Sequence, residues 1–400
     1  MTRAAAALAL TTAIQIGVAL AALTVPAISP AVARDLAVPT SMIGSYVSAL
    51  YFGAAIAALI GGGLVLRLGA IRLSQLGLLL CGLGLALGLV PSLAVVAAAA
   101  ILVGIGYGPI TPASSHVLAR TATPQNIALT LSIKQTGVPA GMALAGIVVP
   151  PLAVAFGWRI AVLTVALACG AIALAAQALR SELDADRDRS ARMSLRQMLA
   201  GLRLVAATPR LRTVATVSFV YSGMQMCTSG FIVAYLVEEV GVSLVAAGVA
   251  LTTASVAGVV ARIAWGALAD RWLSPRDTLA LIGALTAVLS CVVALFSGAW
   301  PFAAMLVVLA GLGATAIGWN GVYLAEVARV APPGQAGLAT GGCLFFTFVG
   351  VVVCPPLFGW AQHASGRYAV SFAAAALACA GVALWLFAGR RPRQAGATAP

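Results

Sequence analysis

Apolar runs of about twenty residues recur from one end of this chain to the other, and every arginine except Arg262 falls between them or at their ends. No other feature limits the fold as much. A bilayer core of about 30 Å needs about 20 apolar residues per crossing helix. Backbone in lipid must satisfy its own hydrogen bonds, so only helices and closed barrels cross. A barrel requires short alternating strands around a polar lumen, and the long Ala/Leu/Val/Gly runs argue against one. Only 8% of residues are charged, against about 25% in a soluble domain. The chain therefore reads as an all-α integral membrane protein. Twelve spans are expected, at 5–27, 42–65, 73–90, 93–117, 127–152, 160–179, 212–236, 244–268, 278–298, 301–324, 338–358 and 370–388.

The first run follows Met1-Thr2-Arg3 and has a cleavage-like Ala31-Val32-Ala33 behind it, as a signal peptide would. It is longer than the usual apolar core of about 7–15 residues and carries Gln15, so it is expected to stay as span 1. With the N-terminus inside, eighteen arginines fall in cytoplasmic loops and tails, and Arg34, Arg159 and Arg367 fall outside. That bias sets a multi-pass topology with both termini cytoplasmic. The stretch from Arg180 to Arg212 alternates acids with bases, then turns amphipathic, which predicts a short helix on the inner membrane face. The expected divisions are a six-helix bundle over 1–179, a cytoplasmic linker over 180–211, a second bundle over 212–388 and a cytoplasmic tail over 389–400.

The net charge of +13 follows this topogenic pattern, so nucleic acid is not an expected partner. The seven cysteines all lie in apolar runs with no CxxC and no Cys/His cluster, and read as small packing residues. No Gly-Lys-Ser/Thr phosphate loop, nucleophile–base pair or His-Glu-x-x-His motif is present. The chain is not expected to be an enzyme or to hold a cofactor.

Lys134 is the one lysine in the chain, and it sits inside an apolar run. An intramembrane ammonium is costly and marks a functional position by default. It lies about 10 Å along its helix from Ile127, at 1.5 Å per residue. It is open to two readings: facing a cavity, where it would bind an anionic solute, or snorkelling to the inner face. No acidic residue lies in the middle of any span to pair with it. Pro139 frees a backbone carbonyl nearby, which bends the helix or helps line a polar cavity.

The two halves repeat one another. Gly62-Gly63-Leu64-Val65-Leu66-Arg67-Leu68-Gly69 after span 2 aligns with Gly266-Ala267-Leu268-Ala269-Asp270-Arg271-Trp272-Leu273 after span 8. Gly104-Ile105-Gly106 in span 4 aligns with Gly311-Leu312-Gly313 in span 10. Duplicated halves with a solute site between them are a transporter plan.

Here the chain resembles the major facilitator superfamily, whose signature loop reads roughly Gly-x-Leu-Ala-Asp-Arg-x-Gly-Arg-Arg. Gly266 to Arg271 is a close match. The copy after span 2 keeps Gly62, Leu64, Arg67, Gly69 and Arg72 but has Leu66 where the family acid belongs. Gly157-Trp158-Arg159 and the run from Lys134 to Gly141 are also similar to the family. The resemblance implies a fold of two pseudo-symmetric six-helix bundles and a conformational lock at Gly266, Asp270, Arg271 and Arg276, with a weaker or rearranged lock at Gly62, Arg67, Gly69 and Arg72. Arg262, eight residues before Asp270, either braces that lock or is a second anion contact.

The resemblance also implies a central cavity lined by spans 1, 4, 7 and 10 with parts of their neighbours. Beside Lys134 and Gln135, the polar and aromatic candidates there are Gln15, Tyr107, Tyr221, Gln225, Trp319, Asn320 and Tyr323. His116 is either a proton-coupling group or a satisfied histidine at a helix end. Coupling to a proton or another ion through Lys134, His116 or the solute itself is expected rather than a carboxylate relay. In span 5, Gly137-Val138-Pro139 departs from the exporter Gly-Pro pattern and favours uptake. The expectation is a monomeric symporter for a small organic anion, such as a carboxylate, in the lipid bilayer of a bacterial inner membrane. The alternatives are a multidrug or metabolite efflux transporter and a non-transporting solute sensor.

Overall fold

The computed structural model describes residues 3–121, 127–187, 195–333 and 335–388. Among these the regular structure is helical throughout, and twelve helical segments are long and apolar enough to cross a bilayer. Span 1 is Arg3–Ala27, followed by a short helix at Ser29–Asp35. Span 2 is Ile43–Leu68, span 3 is Ala70–Leu87 and span 6 is Trp158–Leu183. A linker helix at Leu195–Ala207 precedes span 7, Pro209–Glu238. Span 8 is Leu244–Arg271, span 9 Pro275–Val293, span 11 Ala336–Ser365 and span 12 Tyr368–Ala388. Several run past their expected limits, and side-chain caps set the starts of spans 8 and 9. Ser243 accepts from the Ala246 N–H and Ser274 from the Asp277 N–H, and Pro275 takes the first helical position of span 9.

Spans 4, 5 and 10 are each broken, where the sequence suggested continuous helices. Span 4 is Leu93–Tyr107 then Ile110–Thr121, span 5 is Ile127–Gln135 then Gly137–Phe156, and span 10 is Phe302–Ala316 then Asn320–Val330. At span 5 the cause is legible. Pro139 has no N–H to give to the carbonyl four residues back, which is that of Gln135. Thr136 instead makes a tighter turn, donating to the Ile133 carbonyl at 3.1 Å.

Spans 1–6 form one bundle and spans 7–12 the other. Span 7 is buried around most of its circumference, so it is an interior helix of the assembly. For orientation, the ends of the spans that carry most of the arginines are called the arginine-rich end. Contact between the halves is closest at the opposite end. Ser48 donates to the Val352 carbonyl at 2.7 Å, and Gly44 lies against Pro355. Glu238 accepts from the Thr40 hydroxyl across the halves and from the Tyr368 hydroxyl at 3.0 Å within its own half. Spans 5 and 8 meet at Gly146 and Gly248, where a Cβ on Gly146 would lie 2.5 Å from the Gly248 carbonyl oxygen. Only hydrogen at both positions permits that approach.

The linker helix does more than lie on a membrane surface. Its Gly201 packs against Gly342 in span 11, and Val205 joins Leu211 in the second-half core. The seven cysteines are free thiols, most of them buried.

Candidate functional site

Lys134 is fully buried, so it does not snorkel. Its ammonium reaches the Thr111 hydroxyl at 3.5 Å and the Gln135 side-chain oxygen at 3.4 Å. Both contacts are long for hydrogen bonds. No described carboxylate pairs with it. Three residues on, Gly137 sits against Gln15 and Thr12 of span 1. Gln15 is fully buried, and neither its amide oxygen nor its nitrogen finds a protein partner. The Thr12 hydroxyl is also without one. Leaving a buried polar group unpaired costs about 1–3 kcal/mol, and most are paired in native structures. A cation, an amide and a hydroxyl with capacity to spare therefore gather where spans 1, 4 and 5 meet. What they lack is acceptor oxygens for Lys134 and a polar partner for Gln15.

Arg262 of span 8 crosses to the same place. Its guanidinium donates to the Gln135 main-chain carbonyl at 2.9 Å and to the Ile317 carbonyl at 3.3 Å. The first is the carbonyl that Pro139 leaves unused in span 5. The second lies at the break in span 10. Arg262 thus ties a discontinuity in one half to a discontinuity in the other. Tyr107 lies within electrostatic reach of Arg262 and makes an edge-to-face pair with Tyr51, ring centres 5.7 Å apart.

In the second half, Gln225, Trp319 and Asn320 come together. The Gln225 side-chain oxygen accepts from the Trp319 indole N–H at 3.0 Å and from the Asn320 amide at 3.3 Å. Tyr221 and Tyr323 pack on either side of the Trp319 ring. The Tyr221 hydroxyl donates to the Leu279 carbonyl at 2.7 Å, and Tyr323 is 3.5 Å from the Thr347 hydroxyl. Trp319 and Tyr323 are fully buried. The Trp319 indole and the Tyr221 hydroxyl find acceptors within the bundle, in contrast to the Gln15 amide.

At the arginine-rich end the lock residues divide. Leu66 has no carboxylate, and the carboxylate found near this loop in the first half is Asp184, at the end of span 6. Its carboxylate accepts from the main-chain N–H of Ile71 at 2.7 Å and of Arg72 at 2.9 Å, capping span 3. Gly69, with φ +93°, makes the turn before the cap and leaves no room for a Cβ beside Asp184. The Arg67, Arg72 and Arg271 side chains are exposed. Arg276 donates to the Leu386 carbonyl at 3.1 Å, joining span 9 to span 12. Gly266 has open space around it, and Gly62 lies within span 2. The Asp270 side chain lies outside the described residues.

His116 is held at this end too. Its Nε2 is 2.6 Å from the Asp186 carboxylate, which also pairs with Arg120. Burial works to raise the Asp186 carboxyl, but the His116 hydrogen bond and the Arg120 charge outweigh it and hold the group below the usual carboxylate range. Sequence reasoning misses Asp184, Asp186 and the partner of the carbonyl that Pro139 frees. Pro139 was the available signal for the carbonyl, and the acid run before the linker for the two acids.

Two bundles with broken helices, and a buried polar cluster where the breaks of spans 5 and 10 are tied together, follow the plan of a membrane transporter. The chain belongs to the Major Facilitator Superfamily, whose family model matches residues 10–228 and 214–400. An uncharacterized MFS-type transporter of Mycobacterium tuberculosis is 25% identical over 256 residues, covering 64% of this chain. The match spans 56% of that relative, little more than half its length. A bacterial homologue of the human lysosomal transporter Spinster, in an inward-facing and unoccupied conformation, superposes with a TM-score of 0.73 at 14% identity over 97% of this chain and 96% of its own. The nucleoside transporter NupG superposes with a TM-score of 0.76 at 15% identity over 96% and 98%. At these identities the two structures speak for the fold alone.

Proposed function

We propose that this chain is a secondary transporter that carries a small organic anion, in the simplest case a carboxylate, across a bacterial cytoplasmic membrane by alternating access. The arginine-rich end and both termini face the cytoplasm, in keeping with the excess of arginine there. The observation that carries the reading is Lys134, a fully buried ammonium with two long contacts and no described carboxylate partner. A carboxylate solute supplies the missing charge, and Gln15 and Thr12 offer it further hydrogen bonds. No described carboxylate sits in the middle of a span. That supports symport in which the solute or Lys134 balances the charge, with a proton as the simplest coupled ion.

The test is thermal stabilisation of the purified protein by a panel of organic anions and cationic drugs. A ligand at 100 times its dissociation constant stabilises the folded state by about 2.7 kcal/mol. Stabilisation by one anion class, absent in Lys134→Met, supports the reading. Equal stabilisation of both proteins by cations overturns it.

An open apolar groove favours a second reading. Ala140, Leu144, Ile147, Thr252, Val256 and Val260 line it between spans 5 and 8. A groove of that kind suits the apolar part of an amphipathic compound, as efflux of such compounds requires. On that reading Lys134→Met keeps the drug response.

A further inference from the structure

We infer that Arg262 is a latch that the transported anion releases, so that binding the solute loosens the join between spans 5 and 8 on the arginine-rich side of the membrane centre. The inference rests on the anion reading above and adds how binding is turned into movement.

Gln135 stands between the two intramembrane cations. Its side-chain oxygen faces Lys134 at 3.4 Å, and its main-chain oxygen holds Arg262 at 2.9 Å. The main-chain oxygen is available because Pro139 cannot donate to it. Arg262 donates to two neutral carbonyls, from the broken regions of spans 5 and 10. A carboxylate or phosphate oxygen is a stronger acceptor for guanidinium than a peptide carbonyl and can be bound through two parallel N–H groups. An anion drawn to Lys134 enters next to Arg262 and competes for it.

The consequence is directional. Five hydrogen bonds among the described residues join the halves. Those from Thr40 and Ser48 lie towards the arginine-poor ends of their spans. Ser229 reaches Met142, and Thr252 reaches the Ala143 carbonyl, both beyond Gln135 along span 5. Of these five, the Arg262–Gln135 bond is the one nearest the arginine-rich end. Transferring Arg262 to the anion removes that bond and leaves the others in place, so the arginine-rich side opens while the opposite side stays shut. When the anion leaves, the Gln135 carbonyl recovers Arg262 and the join reforms. Differential affinity of this kind is what a ligand needs to shift a conformational equilibrium.

The experiment measures the distance between spin labels on Thr121→Cys, at the arginine-rich end of span 4, and Gln335→Cys, beside the start of span 11. Cys291→Ser and Cys354→Ser remove the less buried native thiols. Acetate, benzoate, citrate and inorganic phosphate are the probes, and binding is read separately by thermal stabilisation. The expected result is a longer distance when a stabilising anion is added. Arg262→Gln should show the long distance without anion, with the closed-to-open ratio changed on the order of tenfold, the weight of one charge-assisted hydrogen bond. Pro139→Ala leaves both cations in place but returns an N–H that can engage the Gln135 carbonyl, and should move the distribution the same way by less. If Arg262→Gln does not fold, Pro139→Ala decides alone. Anion stabilisation with no change of distance, and variants whose distances equal the wild type's, would overturn the latch while sparing the anion site. If none of the four anions stabilises the wild type, the anion reading itself fails and the latch with it.

Discussion

The Arg262 guanidinium donates to the Gln135 carbonyl at 2.9 Å, so two helices from opposite halves are joined through a backbone oxygen that Pro139 leaves free. Lys134, the preceding residue, is fully buried and turns its ammonium to the Gln135 side chain. Both intramembrane cations thus contact one residue, Lys134 through its side chain and Arg262 through its main chain.

Crossing of spans 5 and 8 depends on two glycines. A side chain at Gly248 would meet the Gly146 carbonyl oxygen directly. Gly248→Val should hold the halves apart at the arginine-poor end and cost about 1–3 kcal/mol, the usual penalty of overpacking. Melting temperature measures the cost. Alkylation of a cysteine introduced at Thr252 should rise as that end opens, and unchanged labelling would show that spans 5 and 8 do not form the closure.

Asp184 caps span 3 through two main-chain N–H groups. Asp184→Ala should destabilise the protein by about 1–2 kcal/mol, as loss of a helix cap does, and leave anion-dependent stabilisation intact. Thermal melts with and without ligand separate the effects. Loss of the ligand response would place Asp184 closer to the solute path than its capping geometry implies.

The Asp186 clasp carries a pH signature. Its carboxyl is held below the usual range by His116 and Arg120 against the opposing effect of burial. A depressed carboxyl contributes stability that is present above its unfolded value, about 3.9 for aspartate, and is lost as pH falls through the folded value. The melting-temperature gap between wild type and Asp186→Asn should shrink as the pH falls below about 4. A gap that grows below about pH 4 would contradict the assignment.

The Trp319 indole and the Asn320 amide both donate to the Gln225 side-chain oxygen. Gln225→Leu strands the buried indole N–H and should cost about 1–3 kcal/mol. Adding Trp319→Phe, which removes that donor, should recover part of the loss. A purely additive double mutant would show that the hydrogen bond carries little of the cost.

Most of the fold was legible because a bilayer imposes length and apolarity on every span. The run from Leu244 to Leu268 fixes span 8 with no knowledge of its neighbours. The break in span 4 falls at Gly108-Pro109, a breaker pair visible in the sequence, whereas in span 10 the one local mark is Gly318. Pro139 did announce a freed carbonyl, but its partner, Arg262, is more than a hundred residues away, and no local signal links them. Lys134 stood out by chemistry alone, whereas its lack of a partner depends on packing. The acids Asp184 and Asp186 looked like part of a solvated charge run, although one caps span 3 and the other holds His116.

The most direct test of the account is uptake of a stabilising organic anion into proteoliposomes containing wild type or Lys134→Met. The account predicts saturable accumulation with wild type and loss of at least about tenfold in rate with Lys134→Met, the weight of one buried charge-assisted contact, in a protein that melts no lower than wild type. Uptake by Lys134→Met at the wild-type rate would contradict it, since the ammonium would then have no part in holding the solute.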